Sequence, residues 1–351
     1  MASNFRDGAN ERKRECDLKL TVGTSHGIFS VDGRLVGVAP KLVLACRGVK
    51  TIIATSDGLL AGTRTGIYRA DAAGLHWSSS GLEEYAVRQI KKTAANDLIA
   101  GTAPAAVFKS SDKGLSWQEF ESFASTPEAQ TWCLPSDPPR PAQACAIATH
   151  ANDPNRLWVG VEVGAIMHSA DGGAQWTSSL PGDNPDIHTI VAQPDDPDTL
   201  FVSTGYGRFD GLAEMVEGNA GVFRSTDAGA HWFYVWRGVT PRYTRPMCID
   251  SRPPFALTVA SVPTPGSRYQ DEGGAQAMLF QSLDQGESWQ SLCDVAHTPS
   301  AVNFSELTPH PELAGGVLVG SDNGEVWSVS PSGTWNQLAS GLPAVLSIHA
   351  H

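Results

Sequence analysis

Short apolar runs ending in Gly-Thr, or in a close relative of it, recur along the chain. They read Leu20-Thr21-Val22-Gly23-Thr24, Leu60-Ala61-Gly62-Thr63, Leu98-Ile99-Ala100-Gly101-Thr102, Leu157-Trp158-Val159-Gly160-Val161 and Leu200-Phe201-Val202-Ser203-Thr204, then Leu257-Thr258-Val259-Ala260-Ser261 and Val317-Leu318-Val319-Gly320-Ser321. Runs of this length bounded by turn residues read as β-strands. A second short apolar segment, such as Ile147-Ala148, Ile190-Val191 or Met247-Cys248-Ile249, precedes each run and reads as an inner strand. With two further strands after each run, one unit is four strands, A to D. Seven such units predict an all-β, seven-bladed β-propeller of four-stranded antiparallel blades. The first unit starts directly on its B strand at 18–24, whereas the last is followed by an unpartnered segment, Ala344-Val345-Leu346-Ser347-Ile348. The simplest closure makes that segment the A strand of the first blade, which removes the open edges of the ring. The expected organisation is a polar lead over 1–17 and a single propeller over 18–351.

A second phrase marks the same period. The pattern S-x-D-x-G-x-x-W stands at 110–117, 169–176, 225–232 and 282–289, with degraded copies ending at Trp77 and Trp335. A short Asp followed by Gly suits a tight hairpin: the carboxylate accepts backbone N–H bonds and Gly supplies the positive φ. The Trp offers a large apolar face to the neighbouring unit. These residues resemble the Asp-box (BNR) repeat of sialidases, sortilin-type receptors and related β-propellers. The resemblance implies a structural hairpin between the third and fourth strands of a blade, on the face away from any active site. Asp112, Asp171, Asp227 and Asp284 are therefore read as structural; calcium binding is the alternative, against which stands the lack of a dense carboxylate ladder. The sialidase pattern itself is not met, because no F/Y-R-I-P phrase precedes the first box, the count is seven, and no arginine triad can be carried over.

Composition narrows the classes. With 25 Lys and Arg against 37 Asp and Glu, the formal net charge is −12, which argues against a nucleic-acid groove or an anionic membrane surface. Residues 1–20 are polar and charged, without the apolar stretch of a secretory signal, and no run reaches membrane-spanning length. The six cysteines show no C-x-x-C spacing. These features predict a reduced cytoplasmic monomer, although a leader removed before this sequence begins would leave the same picture. No cofactor is expected.

The longer insertions fall between D and the next A (121–141, 180–187, 236–246) and between B and C (205–220, 262–277). Both kinds of loop leave on one face, opposite the Asp boxes, and long ordered loops on a rigid scaffold are where function concentrates. The residues expected around the channel mouth on that face are His26, Arg64, Arg88, Glu162, His188, Tyr206, Arg242, Tyr243, Arg245 and Asp322. Glu162, placed where other repeats have Thr or Ser, is read either as an acid or base or as one half of a structural ion pair. His188 is a proton shuttle, a metal ligand or an ordinary hydrogen-bonded residue. With Tyr206 these form the expected catalytic set; Arg88, Arg242, Tyr243, Arg245 and Asp322 form the expected substrate-binding set, able to clamp a carboxylate or phosphate. Arg208 and Arg268 would join from above, or neutralise Asp210, Glu214, Asp271 and Glu272 in their own loops. A metal site on His26, His188 and Glu162 lacks any recognised spacing. Trp132 and Trp236 are loop anchors or sugar platforms, and Cys133 has no partnered base.

The expected function is a glycosidase-like hydrolase or lyase acting on an anionic or polyhydroxylated small molecule at the channel mouth. The alternatives are a scaffold that docks a protein partner on the decorated face, like the Asp-box photosystem assembly factors, and a carbohydrate-recognition module.

Overall fold

The computed structural model describes residues 18–32, 39–136, 138–205 and 216–351. Seven four-stranded antiparallel sheets, the blades, stand around a central channel, with the innermost strands of successive blades packed side by side in a closed ring. In A-to-D order, blade 2 runs Thr51–Thr55, Gly58–Thr63, Gly66–Ala70, Trp77–Ser79, and blade 3 runs Ala86–Lys92, Leu98–Ala103, Val107–Ser110, Gln118–Glu119. Blade 4 is Gln143–Thr149, Leu157–Glu162, Ile166–Ser169, Thr177–Ser179, and blade 5 is Ile187–Ala192, Leu200–Thr204, Gly221–Ser225, Phe233–Tyr234. Blade 6 is Tyr243–Ile249, Leu257–Val262, Met278–Ser282, Gln290–Ser291, and blade 7 is Phe304–Pro309, Val317–Ser321, Val326–Val329, Trp335–Ala339.

Blade 1 is closed by the chain's own end, as expected. Val345–Ala350 is its A strand, paired antiparallel with Lys19–Thr24 through Leu20↔Ala350 and Val22↔Ile348, and Gly27–Asp32 and Lys41–Leu44 complete the sheet.

The Gly-Thr phrase has a packing cause. At the Gly of each B strand the next blade's inner strand comes so close that a side chain would not fit. A Cβ on Gly160 would lie 2.6 Å from Ile187 Cγ2, one on Gly101 2.5 Å from the Ala144 carbonyl, and one on Gly62 2.6 Å from Val87 Cγ1. Where Ser203 takes this place, its hydroxyl donates to the Arg245 carbonyl of the next blade at 2.9 Å. The following Thr closes the B–C turn: Thr24 Oγ1 donates to Gly27 O and Thr63 Oγ1 to Gly66 O, both at 2.9 Å. Apolar side chains gather in seven buried clusters, one at each junction between neighbouring blades, including the junction of blade 7 with blade 1. Stability therefore lives between blades more than within them.

The repeated hairpins tie the same junctions on the outside. In blade 4, Asp171 Oδ1 accepts from Gln175 N at 2.9 Å, and Ser169 Oγ donates to Asp171 while accepting from Gly173 N at 2.8 Å. The indole N–H of Trp117 donates to Ser80 O at 3.1 Å, that of Trp289 to Val235 O at 2.7 Å and that of Trp335 to Leu292 O at 2.8 Å, each reaching the preceding blade. All lie at C–D turns, so the B–C turns and D–A loops occupy the opposite face.

Three expectations shift in register. Val161, not Glu162, holds the Thr position of blade 4, because its N–H donates to Ala165 O as that of Thr102 does to Ala106 O. Glu162 is the next residue, level with Arg64 and Asp322. The inner strand of blade 6 starts at Tyr243, so Tyr243 and Arg245 belong to a strand and not to the loop. The insertion 121–141 contains a helical turn, Glu121–Ala124, and a small hairpin, Cys133–Leu134 with Arg140–Pro141. Among the described residues no helix is long and apolar enough to cross a membrane, and Cys46, Cys133, Cys145, Cys248 and Cys293 are free.

Candidate functional site at the channel mouth

A bulge in the inner strands builds the mouth. In blades 3 to 6 the A–B pairing slips by a residue, between Val87 and Gln89, Ala144 and Ala146, Ile187 and Thr189, and Thr244 and Met247. Arg88, Cys145, His188 and Arg245 are the residues extruded from the ladder. A bulge re-aims a side chain that a regular ladder would hold in alternation.

Blades 4, 5 and 6 bring one connected polar cluster together there. Glu162, the last residue of its B strand, faces Gln143, the first of its A strand, and also bridges Asp186. Its Oε2 accepts from Gln143 Nε2 at 3.1 Å, and its Oε1 accepts from Arg245 Nη2 at 3.1 Å. The same Nη2 donates to the Tyr243 hydroxyl at 3.0 Å, which lies 3.3 Å from His188 Nε2. His188 Nε2 is also 3.1 Å from Asp186 Oδ1. Because a carbonyl can only accept, the 2.6 Å contact between His188 Nδ1 and Thr244 O fixes the proton on Nδ1. Nε2 is thus the nitrogen that faces Asp186 and the Tyr243 hydroxyl. Gly205 leaves room for this packing, since a Cβ there would lie 2.1 Å from Asp186 Oδ2 and 2.7 Å from both His188 and Tyr243.

Burial grades outward through the cluster. Side-chain exposure is 4% for His188, 9% for Asp186 and 14% for Glu162, but 50% for Arg245. Burial holds the Tyr243 phenol well above its usual range, with the Arg245 charge working against it, so this hydroxyl stays protonated. Burial also pushes the Cys145 thiol up to about 12; its sulfur donates to Ile187 O at 3.3 Å, a structural use.

Glu162, Asp186 and His188 each place a ligand-type atom within 4.8 Å of the other two. Their surroundings oppose a divalent cation: Arg245 sits on Glu162, and Lys50 feels the charges of both Arg88 and Arg245.

The remaining expected residues are dispersed. Arg242 pairs with Glu217 at 3.0 Å. Asp322 accepts from Asn303 N at 3.0 Å and Tyr269 N at 3.3 Å, tying the B–C loop of blade 6 to the entry of blade 7, and burial raises its carboxyl. Arg88 faces the rim, with a buried Nε that has no hydrogen-bond partner among the described residues. His26 and Arg64 are exposed. Trp236 is fully buried against Phe280 and Trp289, an anchor, and Trp132 packs 5.4 Å from the Phe123 ring. Tyr206, Arg208, Asp210 and Glu214 lie outside the described residues.

Asp186 and Gln143 were not singled out from the sequence. Asp186 stands two residues before His188, the spacing that puts two side chains on one side of an extended segment. Gln143 is legible only once the A–B register is known.

No protein-family profile matches this chain, and no curated sequence matches it. Among solved structures, the xyloglucanase of Xanthomonas campestris is similar over 93% of this chain and 53% of its own, at 16% identity and a TM-score of 0.66. A Niastella koreensis GH74 enzyme is similar over 92% and 47%, at 18% identity and a TM-score of 0.61. YCF48 from Cyanidioschyzon merolae is similar over 83% and 84%, at 12% identity and a TM-score of 0.54. The chain spans about half the length of the two hydrolases. At these identities the likeness establishes the β-propeller fold.

Proposed function

We propose that the chain binds an anionic, hydroxyl-bearing small molecule, a sugar acid by class, on the blade 4–6 side of the channel mouth, with Arg245 taking the carboxylate. The construction of Arg245 carries this reading. Its Nη2 is held by Glu162 and the Tyr243 hydroxyl, its plane lies over the Tyr243 ring at 5.6 Å, and half of the side chain faces solvent. Nε and Nη1 make no hydrogen bond among the described residues, which leaves the guanidinium free to take a carboxylate in a forked contact. Glu162 and Tyr243 fix the rotamer beforehand, so little side-chain entropy is lost on binding. The fold likeness to a xyloglucanase is in keeping with a sugar-related ligand.

A second reading adds chemistry, and the proximity of Glu162, Asp186 and His188 favours it. In a hydrolase or lyase, the Thr244 carbonyl would orient His188 through Nδ1–H, Nε2 would take or give the proton, and the Asp186 carboxylate beside Nε2 would stabilise the imidazolium. Tyr206 belongs to this reading as a third group, with Arg88, Arg242 and Asp322 as outer substrate contacts.

A thermal-shift series on the wild type and Glu162→Gln tests the proposal. Glucuronate, galacturonate and N-acetylneuraminate should raise the midpoint while glucose and galactose should not. In Glu162→Gln the affinity for the acids should rise several-fold, because the change removes the negative charge that competes for Arg245 while the amide oxygen can still accept from Nη2. Equal shifts with neutral sugars, or none with any acid, would refute it; turnover of a linked uronide in the same samples would favour the second reading.

A further inference from the structure

Below the mouth, all seven inner strands enclose a channel cavity of about 580 Å³, the size of a small-molecule site. Most polar side chains in its wall are consumed in joining one blade to the next. Thr149 Oγ1 donates to Lys92 O, Thr189 Oγ1 to Arg245 O and Ser347 Oγ to Val49 O. Three charged side chains in the wall are different: Lys50 at the head of blade 2, Lys91 on the inner strand of blade 3 and Glu306 on that of blade 7. Neither ammonium forms a hydrogen bond, or an ion pair within 4.0 Å, among the described residues. Glu306 takes a hydrogen bond from Thr308 at 2.9 Å.

We propose that the channel interior is a second binding site, for a compact dianionic oxyanion of the phosphate type, held between the Lys50 and Lys91 ammonium groups and facing Glu306.

The charge balance points to an anion. Lys50 and Lys91, with Arg88 and Arg245 at the rim, face Glu306 and Glu162, so four positive charges meet two negative and leave an excess of two. This sits inside a protein whose formal net charge is −12. Both ammonium groups line the one cavity and act on the same carboxylate, so their charges converge within it. Convergence suits a single oxyanion better than an extended dicarboxylate whose charges lie apart. Lysine binds phosphate as a mobile point charge and needs no fork geometry.

These charged groups are also held at an electrostatic cost, as functional sites often are. Burial pulls the Lys50 ammonium down to about 8, helped by the Arg88 and Arg245 charges, and lowers Lys91 as well. Burial pushes the Glu306 carboxyl up to about 7, against the hydrogen bond from Thr308 and the pull of both lysines. A bound dianion would restore both ammonium groups to full charge.

This inference goes beyond the mouth site and does not rest on it. Calorimetric titration of the full chain near neutral pH, with inorganic phosphate in low salt and with succinate as the extended dicarboxylate, tests it. The expected result is one phosphate per chain, bound more tightly than succinate, with affinity reduced about tenfold or more in Lys50→Met and in Lys91→Met, each equivalent to about 1.4 kcal/mol. Glu306→Gln should tighten phosphate several-fold, because it removes the opposing charge in the channel wall. That opposite sign decides the matter even if a lysine variant does not fold. No saturable phosphate binding, unchanged affinity in both folded lysine variants, succinate bound as tightly as phosphate, or weaker binding in Glu306→Gln would each overturn the proposal. Phosphate lost in Arg245→Met but kept in both lysine variants would place the anion at the mouth instead. Failure of sugar acids to bind, with phosphate behaving as described, would refute only the mouth reading.

Discussion

Removing residues 343–351 abolishes cooperative folding. The inner strand Val345–Ala350 supplies the whole A position of blade 1, and Val345 and Ile348 are 0% and 4% exposed among Leu20, Val22, Val31, Leu318 and Val326. A Cβ on Gly320 would lie 2.4 Å from Val345 Cγ1, which shows how closely blade 7 rests on this strand. Each buried aliphatic side chain contributes roughly 1.5–3 kcal/mol. Two of them, a full ladder of backbone bonds and the re-exposed faces of blades 1 and 7 together rival the roughly 5–15 kcal/mol that a domain has in total. Urea unfolding followed by tryptophan fluorescence should lose its sharp transition, and a synthetic peptide of residues 343–351 added in excess should restore it. A truncated chain that unfolds with the wild-type midpoint and slope would contradict the closed ring.

Acid should weaken the fold through His310, in a way that one substitution can isolate. The ring is 1% exposed, in the A–B turn of blade 7. Its Nδ1 accepts from Leu313 N at 3.0 Å and Glu312 N at 3.2 Å, so this nitrogen must stay unprotonated, and Nε2 is buried without a hydrogen-bond partner among the described residues. Burial, helped by the Arg252 guanidinium, holds the imidazole down at about 4. The native state therefore binds fewer protons than the unfolded chain from the ordinary histidine value near 6.5 down to about 4. Stability must fall as pH falls through that window, by about 2–3 kcal/mol for a shift of this size. His349, half-buried and likewise held at about 4, adds to the same slope. Chemical denaturation of the wild type and His310→Gln across pH 4 to 7 measures the difference, which should grow by that amount with rising pH. Parallel curves would show that His310 takes no part.

What the sequence could and could not disclose has a physical basis. The strand runs, the Ser-x-Asp hairpins and the closing strand were legible because each is local: alternation, turn chemistry and an unpartnered apolar segment are written in consecutive residues. Even the Gly of the Gly-Thr phrase was visible, although its reason, the approach of the next blade's inner strand, was not. The mouth was only partly legible. Glu162, His188, Tyr243 and Arg245 carry chemistry in their side chains and stand at strand ends, so they could be picked out. Their company could not, because it depends on the bulges that extrude Arg88, Cys145, His188 and Arg245, and a bulge is a relation between two strands. Glu162 is read one position away from its true place because Val161, which lacks a hydroxyl, fills the Thr position of the Gly-Thr phrase in blade 4. Arg242 sits two residues before its neighbour Thr244 and close to Arg245 in sequence, yet its guanidinium pairs with Glu217. Lys50, Lys91 and Glu306 lie on three separate blades and meet only across the channel.

The central claim is that Arg245, held by Glu162 and Tyr243, is the anion-binding group of the mouth, and that Arg242 is not. Titration of glucuronate into Arg245→Met and Arg242→Met, each checked for wild-type near-ultraviolet circular dichroism, tests this most directly. The account predicts that Arg245→Met loses binding by more than about tenfold, as for one charge-assisted contact, while Arg242→Met binds as the wild type does. Binding lost in Arg242→Met and kept in Arg245→Met would contradict it.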